Sequence, residues 1–406
     1  MSAQALTRPI PPHIEPKNVV DYDIYNDHRY AAVGDLHEGL NRLAEEVGRG
    51  IFWTPHNGGH WFVNDHEMIF EAVRNPEIFS NTAQTIPPLP EEPKLLPLFS
   101  DPPIHMTYRL PLMKQFAPGP INKLEESIRA FCAELIEAVA AKGRCEFVDA
   151  ISEPMPIITF MKFMGMPLDR MREFRNWIYD LMSSDDDLRA GGWRNIRALM
   201  DVLIKERQAQ RRDDLISRML DAKIDDRAIT LEEMHAYCIQ LFAAGLDTVA
   251  NSLAFAMNHL AGDAPLQNRL RANPDLIPEA VEEMFRKYAV AMSPRTATRD
   301  VEFHGVHIKK GERVLMMLPA GNLDPKIFPD PTKFDLDREN KAHITFMVGP
   351  HRCIGSHLAR LEMRVFLEEW FKRMPNVRHD PKEPPAYRAA IILALKTLPL
   401  VWDRAA

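Results

Sequence analysis

The sequence predicts a mainly α-helical fold with small β-sheets, an α+β arrangement. Several segments repeat apolar residues at the spacing of a helix face. The longest, Thr230 to Ala261, would span roughly 50 Å at about 1.5 Å per residue. Strand signals are short: aromatic and β-branched runs flank Asn57-Gly58-Gly59, which is typical of a hairpin, and the tail from Ala389 to Val401 is β-rich.

Composition limits the kind of protein. The chain has 406 residues, 46% hydrophobic and 26% charged, so it can bury a large core. No Gly/Ser linker, low-complexity tract or repeat divides it, and we expect one domain over residues 1–406. A formal net charge of -7 gives no indication of nucleic-acid binding. Because we find neither a signal-peptide pattern nor a run of about 18 apolar residues, we expect a cytoplasmic protein without membrane association. We also expect a monomer.

Helical periodicity places the remaining elements in order along the chain. A helix is predicted from Leu36 to Val47, and a shorter one from Asp65 to Val73 follows the hairpin. Between Phe79 and Pro103 prolines recur too densely for a regular element, and such long ordered loops usually have a function. Further helices are predicted at Asn122 to Lys142, Ile158 to Gly165, Asp169 to Met182, Gly192 to Arg211 and Pro278 to Tyr288, with a strand-like stretch at Ala291 to Val301.

Cys353 lies in a loop whose composition packing alone does not explain. Gly349 and Gly355 allow this loop to lie flat against a planar ligand, because glycine has no Cβ. Helical periodicity resumes at Ile354, so Cys353 lies at a helix N-terminus, where unpaired N–H groups favour a thiolate and hence a metal ligand. Taken alone, Cys353 could equally be a buried free cysteine that acts as a small hydrophobe.

The other cysteines suggest neither a disulfide framework nor a zinc site. Cys132, Cys145 and Cys238 show no C-x-x-C spacing with one another or with Cys353. His351 and His357 lie near Cys353, but this set lacks the fourth ligand that structural zinc needs.

The stretch from 346 to 362, FMVGPHRCIGSHLARLE, resembles the cysteine-ligand loop of the cytochrome P-450 family of haem-thiolate monooxygenases. Phe346, His351, Cys353 and Gly355 match the motif, whereas Met347 stands where the family usually has a small or polar residue. The resemblance implies haem b with the Cys353 thiolate as axial ligand, held between a long central helix and this loop. A thiolate ligand favours cleavage of the O–O bond.

A second motif, DPPxHxxxR, begins at Asp101. His105 and Arg109 fall four residues apart on one helical face, which by itself is most often a solvated basic face. The resemblance implies instead that they bind a haem propionate, with Arg295 as a second clamp and His351 as a third donor.

The centre of the long helix contains small residues followed by an acid and an alcohol. Ala244 and Gly245 would let a flat ligand approach the backbone, and Thr248 can bond the Ala244 carbonyl and bend the helix there. Asp247 in apolar surroundings needs partners and could be a structural ion pair. The resemblance implies that Asp247 and Thr248 deliver protons during dioxygen activation, and that Ala244 and Gly245 contact the haem.

Glu283 and Arg286, three apart on a predicted helix, are ordinary helix decoration by themselves. Their position before the cysteine loop matches the structural ion pair of the family, so we assign them to folding.

Electrons must come from another protein, because no flavin or iron-sulfur motif occurs in this chain. A basic patch on the thiolate side could attract an acidic iron-sulfur ferredoxin, itself reduced by an NAD(P)H-dependent reductase. The candidate residues are Arg109, Lys114, His357, Arg360 and Arg364.

The resemblance covers nearly the whole chain and is strongest to the bacterial camphor-hydroxylase-like group. Carrying that pocket across by position gives Thr85, Pro93, Gln240, Ala243, Ser293, Ile391 and Ile392 as substrate contacts. No tyrosine lies between Phe79 and Asp101 to hold a camphor ketone. The substrate is therefore expected to be a different small apolar terpenoid, such as an ionone-type norisoprenoid, with Gln240 as a new polar anchor.

Two other classes of protein fit part of the pattern. A haem-thiolate binding or sensor protein without turnover would need Cys353 and the propionate donors but not Asp247 and Thr248. A structural or metal-binding helical protein would need none of them and would be colourless.

Overall fold

The computed structural model describes residues 7–83, 85–88, 95–181 and 186–403, with all side chains except those of residues 178, 179, 181, 186, 189 and 243. About 51% of the chain is helical, which confirms the predicted mainly α-helical class. The helices of the described ranges are α1 His28–Val33, α2 Leu36–Val47, α3 His66–Val73, α4 Ile104–Gln115, α5 Pro118–Asn122, α6 Glu125–Ala140, α7 Pro154–Met164, α8 Met171–Leu181, α9 Asp186–Ala209, α10 Leu215–Leu220, α11 Leu231–Gly245, α12 Asp247–Gly262, α13 Ala264–Ala272, α14 Ile277–Lys287, α15 Leu318–Gly321 and α16 Ser356–Arg373.

The strands of these ranges are short and form small sheets. They are β1 Ile51–Thr54, β2 His60–Val63, β3 Phe79–Ser80, β4 Arg144–Glu146, β5 Lys223–Ile224, β6 Arg227–Ala228, β7 Ser293–Ala297, β8 Val301–Phe303, β9 Val306–Ile308, β10 Arg313–Met316, β11 Val377–His379, β12 Ala386–Arg388, β13 Ala394–Thr397 and β14 Pro399–Trp402. A five-stranded sheet has the order β1-β2-β10-β7-β3, with β2 and β10 parallel. A second sheet has the order β11-β14-β4, and the other strands pair in twos.

Local sequence signals explain the amino-terminal elements. Asp35 caps α2 and Asp65 caps α3, each by accepting the backbone N–H three residues on. The predicted hairpin is confirmed: β1 and β2 pair antiparallel, and Asn57, Gly58 and Gly59 between them all have positive φ.

The central helix begins as predicted and is broken in its middle. Thr230 and Glu233 form the expected capping box at the start of α11. The helical path is interrupted at Leu246, where φ is −107°, and the single predicted helix is therefore two, α11 and α12. Thr248 Oγ1 donates to the Ala244 carbonyl at 3.4 Å across the interruption, which confirms the predicted bend.

Two other helices begin earlier than predicted. Pro154 and Pro156 lie in the first turn of α7, where the missing N–H groups cost nothing. Helix α9 continues through Gly191 and Gly192, because a glycine in a helix interior costs only about 1 kcal/mol of stability and need not end the helix.

The span from Leu231 to Gly262 contains a window apolar and long enough to cross a membrane, although the sequence had suggested no such run. However, 71% of that window is buried inside the protein. Its apolar character is therefore that of a core helix.

A buried ion pair fixes α14 beneath the cysteine loop. Arg286 Nε donates to a Glu283 carboxylate oxygen at 2.7 Å, both side chains are fully buried, and Arg338 joins the same carboxylate at 3.1 Å. The predicted structural pair is confirmed, and Arg338 adds a partner that the spacing did not indicate.

Candidate active site

A cavity of about 360 Å³ lies between the cysteine loop and the interruption of the central helix. Phe346 and Cys353 line it on the loop side, Ala244 and Thr248 line it on the helix side, and His105 of α4 lines a third side. The structure thus brings together residues that are up to 248 positions apart between His105 and Cys353. This is the position in which a haem was expected.

The cysteine loop is closed by backbone hydrogen bonds. Cys353 N–H donates to the Phe346 carbonyl at 2.8 Å. Gly349 has a φ of 74°, and a Cβ there would lie 3.1 Å from the Val73 carbonyl oxygen, so glycine is needed. Met347 takes the same left-handed region with a φ of 60°, a conformation that costs a side chain roughly 1–2 kcal/mol.

The Cys353 side chain is open to the cavity, and its thiol responds to two opposing influences. Enclosure by the protein raises its pKa, whereas the N–H groups of Gly355 and Ser356 and the charges of Arg109 and Arg360 lower it. The start of α16 therefore favours the thiolate, as predicted, but in the protein alone burial outweighs it. A bound metal ion would supply the remaining positive charge.

The other three cysteines do not line this cavity. Burial raises the pKa of Cys132, and raises those of Cys145 and Cys238 to about 12. These three cysteines therefore behave as small hydrophobic residues, whereas Cys353 faces the cavity.

Two neutral imidazoles meet at one edge of the cavity. The rings of His105 and His351 are 4.1 Å apart between centroids. Asn81 Nδ2 donates to His351 Nδ1 at 2.7 Å, which leaves Nε2 of His351 as the N–H donor. Burial lowers the pKa of His351 to about 2 and that of His105 to about 4. Among the described residues, neither His351 Nε2 nor the ring nitrogens of His105 have a hydrogen-bond partner.

The Arg295 guanidinium lies close enough to His351 for its charge to lower the pKa of that imidazole, although Arg295 is not among the described lining residues of the cavity. Its Nη1 donates to Ser293 Oγ and the Pro294 carbonyl, both at 2.7 Å, while its buried Nη2 has no partner within the described ranges. Burial lowers the pKa of Arg295 to about 10. Arg109 lines the cavity and donates to the Arg352 carbonyl of the cysteine loop.

These unpartnered donors fit a haem. A buried donor without an acceptor costs free energy, so two such imidazoles in the cavity wall, with the Arg295 guanidinium beside His351, indicate a ligand that carries acceptors. His105, His351 and Arg295 would donate to the haem propionates, and Cys353 would ligate the iron.

Asp247 lies in the wall between this cavity and a second one of about 170 Å³. Its Oδ1 accepts from Asn251 Nδ2 at 2.9 Å, and its Oδ2 lies 3.8 Å from Arg388 Nη2. Burial raises its pKa, against the lowering effects of Arg388 and Asn251. The ion-pair alternative is therefore only loosely realised, because Oδ2 lacks a hydrogen bond among the described residues.

The small residues of the central helix serve two neighbours. Ala244 and Gly245 both line the cavity. A Cβ on Gly245 would lie 3.2 Å from the ring of Phe160 on α7, so this glycine also admits a phenyl ring.

Comparison with known proteins agrees with this geometry. The family model "Cytochrome P450" matches residues 174–385, just over half of the chain. A probable cytochrome P450 127A1 from Sinorhizobium fredii is 30% identical over 404 residues, covering 98% of this chain and 97% of that protein. The chain belongs to the cytochrome P450 family.

Other relatives and solved structures extend the comparison. The crystal structure of CYP101J2 has a TM-score of 0.91 and 32% identity, covering 98% of this chain and all of that one. CYP101C1 has a TM-score of 0.88 and 32% identity, covering 97% and 100%. A steroid C26-monooxygenase of Mycobacterium tuberculosis is 28% identical and covers 91% of this chain and 96% of that protein. The CYP101 neighbours agree with the expected camphor-hydroxylase-like group.

Family membership establishes the class of chemistry. This cytochrome P450 is a haem-thiolate monooxygenase that uses haem b, O2 and a redox partner. When bound, the haem supplies oxygen activation. Family membership therefore favours a monooxygenase over a haem-thiolate sensor protein and over a structural or metal-binding helical protein.

The structure brings only some of the expected substrate contacts to the cavity. Gln240, Ser293 and Ile392 line it. Thr85 and Ile391 do not appear among its described lining residues, and their contact with a substrate stays a prediction. The Thr85 carbonyl instead accepts from Arg313, and the Ile391 carbonyl accepts from the Met292 N–H.

Two expected contacts lie outside the described structure. Pro93 falls outside the described residues, as does the side chain of Ala243.

Most of the apolar lining residues were missed, and Leu98, Val249 and Met292 are examples. Val249 and Met292 adjoin Thr248 and Ser293, which the sequence did indicate, and Leu98 lies three residues before the Asp101 motif. Which of such neighbours faces the cavity depends on side-chain direction, which adjacency does not give.

Two of the five candidate residues of the basic patch are paired with carboxylates. Arg360 donates two hydrogen bonds to Glu282, and Arg364 pairs with Glu125 and Glu368. Docking of a partner protein at this patch stays a prediction.

Proposed function

We propose that this cytochrome P450 inserts one oxygen atom of O2 into a C–H bond of a small apolar terpenoid, with an ionone-like norisoprenoid preferred to camphor. The observation that carries the proposal is the cavity wall: Leu98, Val249, Met292 and Ile392 are apolar, and Gln240 is the one amide side chain among its described lining residues. Such a wall favours a ligand with few polar groups.

Polar recognition in this pocket is limited. Ser293 Oγ already accepts from Arg295, and Gln240 Oε1 accepts from the Leu98 N–H at 3.2 Å. The amide nitrogen of Gln240 is the donor that we assign to a carbonyl of the substrate. No tyrosine is among the described lining residues, and Gln240 lies on the central helix rather than in the proline-rich loop, so we expect weaker selection of a ketone placed as in camphor. Pro93 and Ala243 remain proposed contacts on sequence position alone.

We assign proton delivery to Asp247 and Thr248. Asp247 adjoins both cavities, and its raised pKa makes it a better proton carrier near neutral pH than an exposed aspartate. Protons would enter from the second cavity, reach the Asp247 carboxylate, and pass to the Thr248 hydroxyl in the haem cavity.

The proposed electron donor is a ferredoxin that docks near α4. Met106, Leu110 and Met113 are exposed by 39%, 49% and 42% and fall on one face of that helix. Arg109 and the exposed Lys114 flank this face. An apolar centre with a basic edge suits an acidic protein partner. We also propose that the protein is a cytoplasmic monomer.

The substrate proposal is tested by titrating the ferric haem protein with camphor and with β-ionone, following the low-spin to high-spin change. A larger and tighter change with β-ionone supports the remodelled pocket. Tighter binding of camphor would refute it and show that another donor replaces the missing tyrosine.

The partner proposal is tested by measuring haem reduction by a ferredoxin at low and high salt. Lys114→Glu should slow reduction at low salt, while Lys309→Glu on the β8–β9 hairpin should leave it unchanged. Equal rates for both variants would contradict docking at α4.

A further inference from the structure

Leu98 is held from two sides by side chains of distant segments. Its N–H donates to Gln240 Oε1 of α11 at 3.2 Å, and its carbonyl accepts from Asn81 Nδ2 at 3.0 Å. The Leu98 side chain lines the haem cavity. A residue that shapes the substrate site is therefore fixed by bonds from outside its own loop.

The rest of this loop segment bonds to itself. Phe99 N–H donates to the Leu95 carbonyl at 2.7 Å, and Ser100 Oγ donates to the Pro97 carbonyl at 2.6 Å. Within the described part of the chain, the two bonds at Leu98 are the hydrogen bonds that join residues 95–100 to other segments. The segment is thus a small folded unit tied down at one residue.

The two ties connect opposite walls of the cavity. Gln240 is 7% exposed and lies one turn before Ala244 on the central helix. Asn81 also donates to His351 Nδ1 at 2.7 Å, and so joins Leu98 to the cysteine loop. A path of hydrogen bonds therefore runs from Gln240 on α11 through Leu98 and Asn81 to the His351 imidazole.

We propose that Gln240 is a specificity-determining positioning residue: by accepting the Leu98 N–H, it holds the 95–100 segment against the central helix and sets the space available to a substrate. An apolar residue at position 240 would fill the same volume but leave this N–H without an acceptor. This role of Gln240 in placing residues 95–100 does not depend on whether the substrate is a terpenoid.

The decisive variants are Gln240→Met, which removes the acceptor, and Gln240→Glu, which keeps one. Ser100→Ala removes a bond inside the segment and serves as a matched control. Amide hydrogen exchange of residues 95–101 is measured by mass spectrometry on the haem-loaded protein. A net hydrogen bond of roughly 0.5–1.5 kcal/mol corresponds to about two- to tenfold faster exchange of the Leu98 amide in Gln240→Met. We expect wild-type exchange at this amide in Gln240→Glu and in Ser100→Ala.

Ligand entry gives a second measurement. The association rate of 4-phenylimidazole with the haem should rise two- to tenfold in Gln240→Met, while that of the smaller imidazole should change less. The Gln240→Glu variant should restore wild-type discrimination between the two azoles.

Unchanged exchange and azole discrimination in Gln240→Met would overturn the proposal and leave Gln240 as a direct substrate contact only. If Gln240→Met does not load haem, Gln240→Leu removes the same acceptor and tests the same hydrogen bond. Wild-type exchange of the Leu98 amide in that variant would equally refute the proposal.

Discussion

The cysteine wall and the helix wall of the haem cavity are built in different ways. On the cysteine side, Cys353 N–H bonds to the Phe346 carbonyl at 2.8 Å, and Thr345 Oγ1 donates to the Phe285 carbonyl of α14 at 2.6 Å. On the helix side, Thr248 reaches the Ala244 carbonyl at 3.4 Å, and Asp247 lies 3.8 Å from Arg388. Short hydrogen bonds support the backbone of the cysteine loop, whereas the Thr248 hydroxyl and Asp247 Oδ2 make long contacts.

The difference follows from what each wall must do. A metal ligand has to keep its position, so its loop is tied to a buried ion pair and to a helix N-terminus. A side chain that carries protons, as we propose for Asp247, has to change partners; among the described residues its Oδ2 has no hydrogen bond, and Asp247 also lines the second cavity. The loop that holds Cys353 is therefore fixed by short hydrogen bonds, whereas the Asp247 side chain has fewer constraints.

The strongest test of the cysteine wall is Cys353→Ser. We expect loss of the red-shifted absorption of the reduced carbon monoxide complex and of essentially all monooxygenase activity, because a neutral hydroxyl cannot replace the thiolate. Cys145→Ser, a substitution on β4, should retain both. A preserved spectrum in Cys353→Ser would place the ligand elsewhere.

The support beneath that wall is tested by Glu283→Ala. Removing one partner of a buried ion pair should lower the free energy of unfolding by about 3–5 kcal/mol, since Arg286 stays buried and charged. Urea denaturation measures this, with Glu279→Ala at the surface as the control. A loss no larger than that of the control would show that the pair does not stabilise the loop.

The helix wall is tested by Asp247→Asn. We expect turnover to fall by about 100-fold, because an amide cannot carry the proton, while haem content and ligand-induced spectral changes stay as in the wild type. Asp263→Asn, at the end of α12, should leave turnover intact. Turnover at the wild-type rate in Asp247→Asn would mean that protons take another route.

Glu362 offers a smaller test, through pH, of the apolar surroundings that both walls share. Burial raises its pKa from 4.5 to about 8, against a lowering contribution from Thr159. Between these values the folded protein keeps a proton that the unfolded chain releases. Stability should therefore fall as pH rises, by on the order of 1 kcal/mol per pH unit at most. Glu362→Gln should reduce the dependence of the free energy of unfolding on pH, as measured by denaturation curves. Asp247→Asn serves as the comparison variant, because the pKa of Asp247 is also raised. An unchanged pH dependence in Glu362→Gln would exclude Glu362 as its source.

Local signals predicted much of the fold. The Asp caps of α2 and α3, the capping box of α11 and the Asn57-Gly58-Gly59 turn depend on residues only a few positions apart, and the structure has them where expected. Pocket residues transferred by position have less support: Thr85 and Ile391 are not among the described lining residues of the cavity, whereas Leu98, which the transfer did not include, is. A loop without periodicity gives no sign of which side chains face inward.

Sequence alone determined the class of this protein, because the cysteine-loop motif, the DPPxHxxxR motif and the acid-alcohol pair each carry their chemistry in residues close together in the chain. Tertiary structure decided which charges are free. Arg360 and Arg364 are matched by carboxylates from other segments, and Gln240 is engaged by Leu98, 142 positions away. Long-range partners of this kind depend on how helices and loops pack together, and that packing is not encoded in any short stretch of residues.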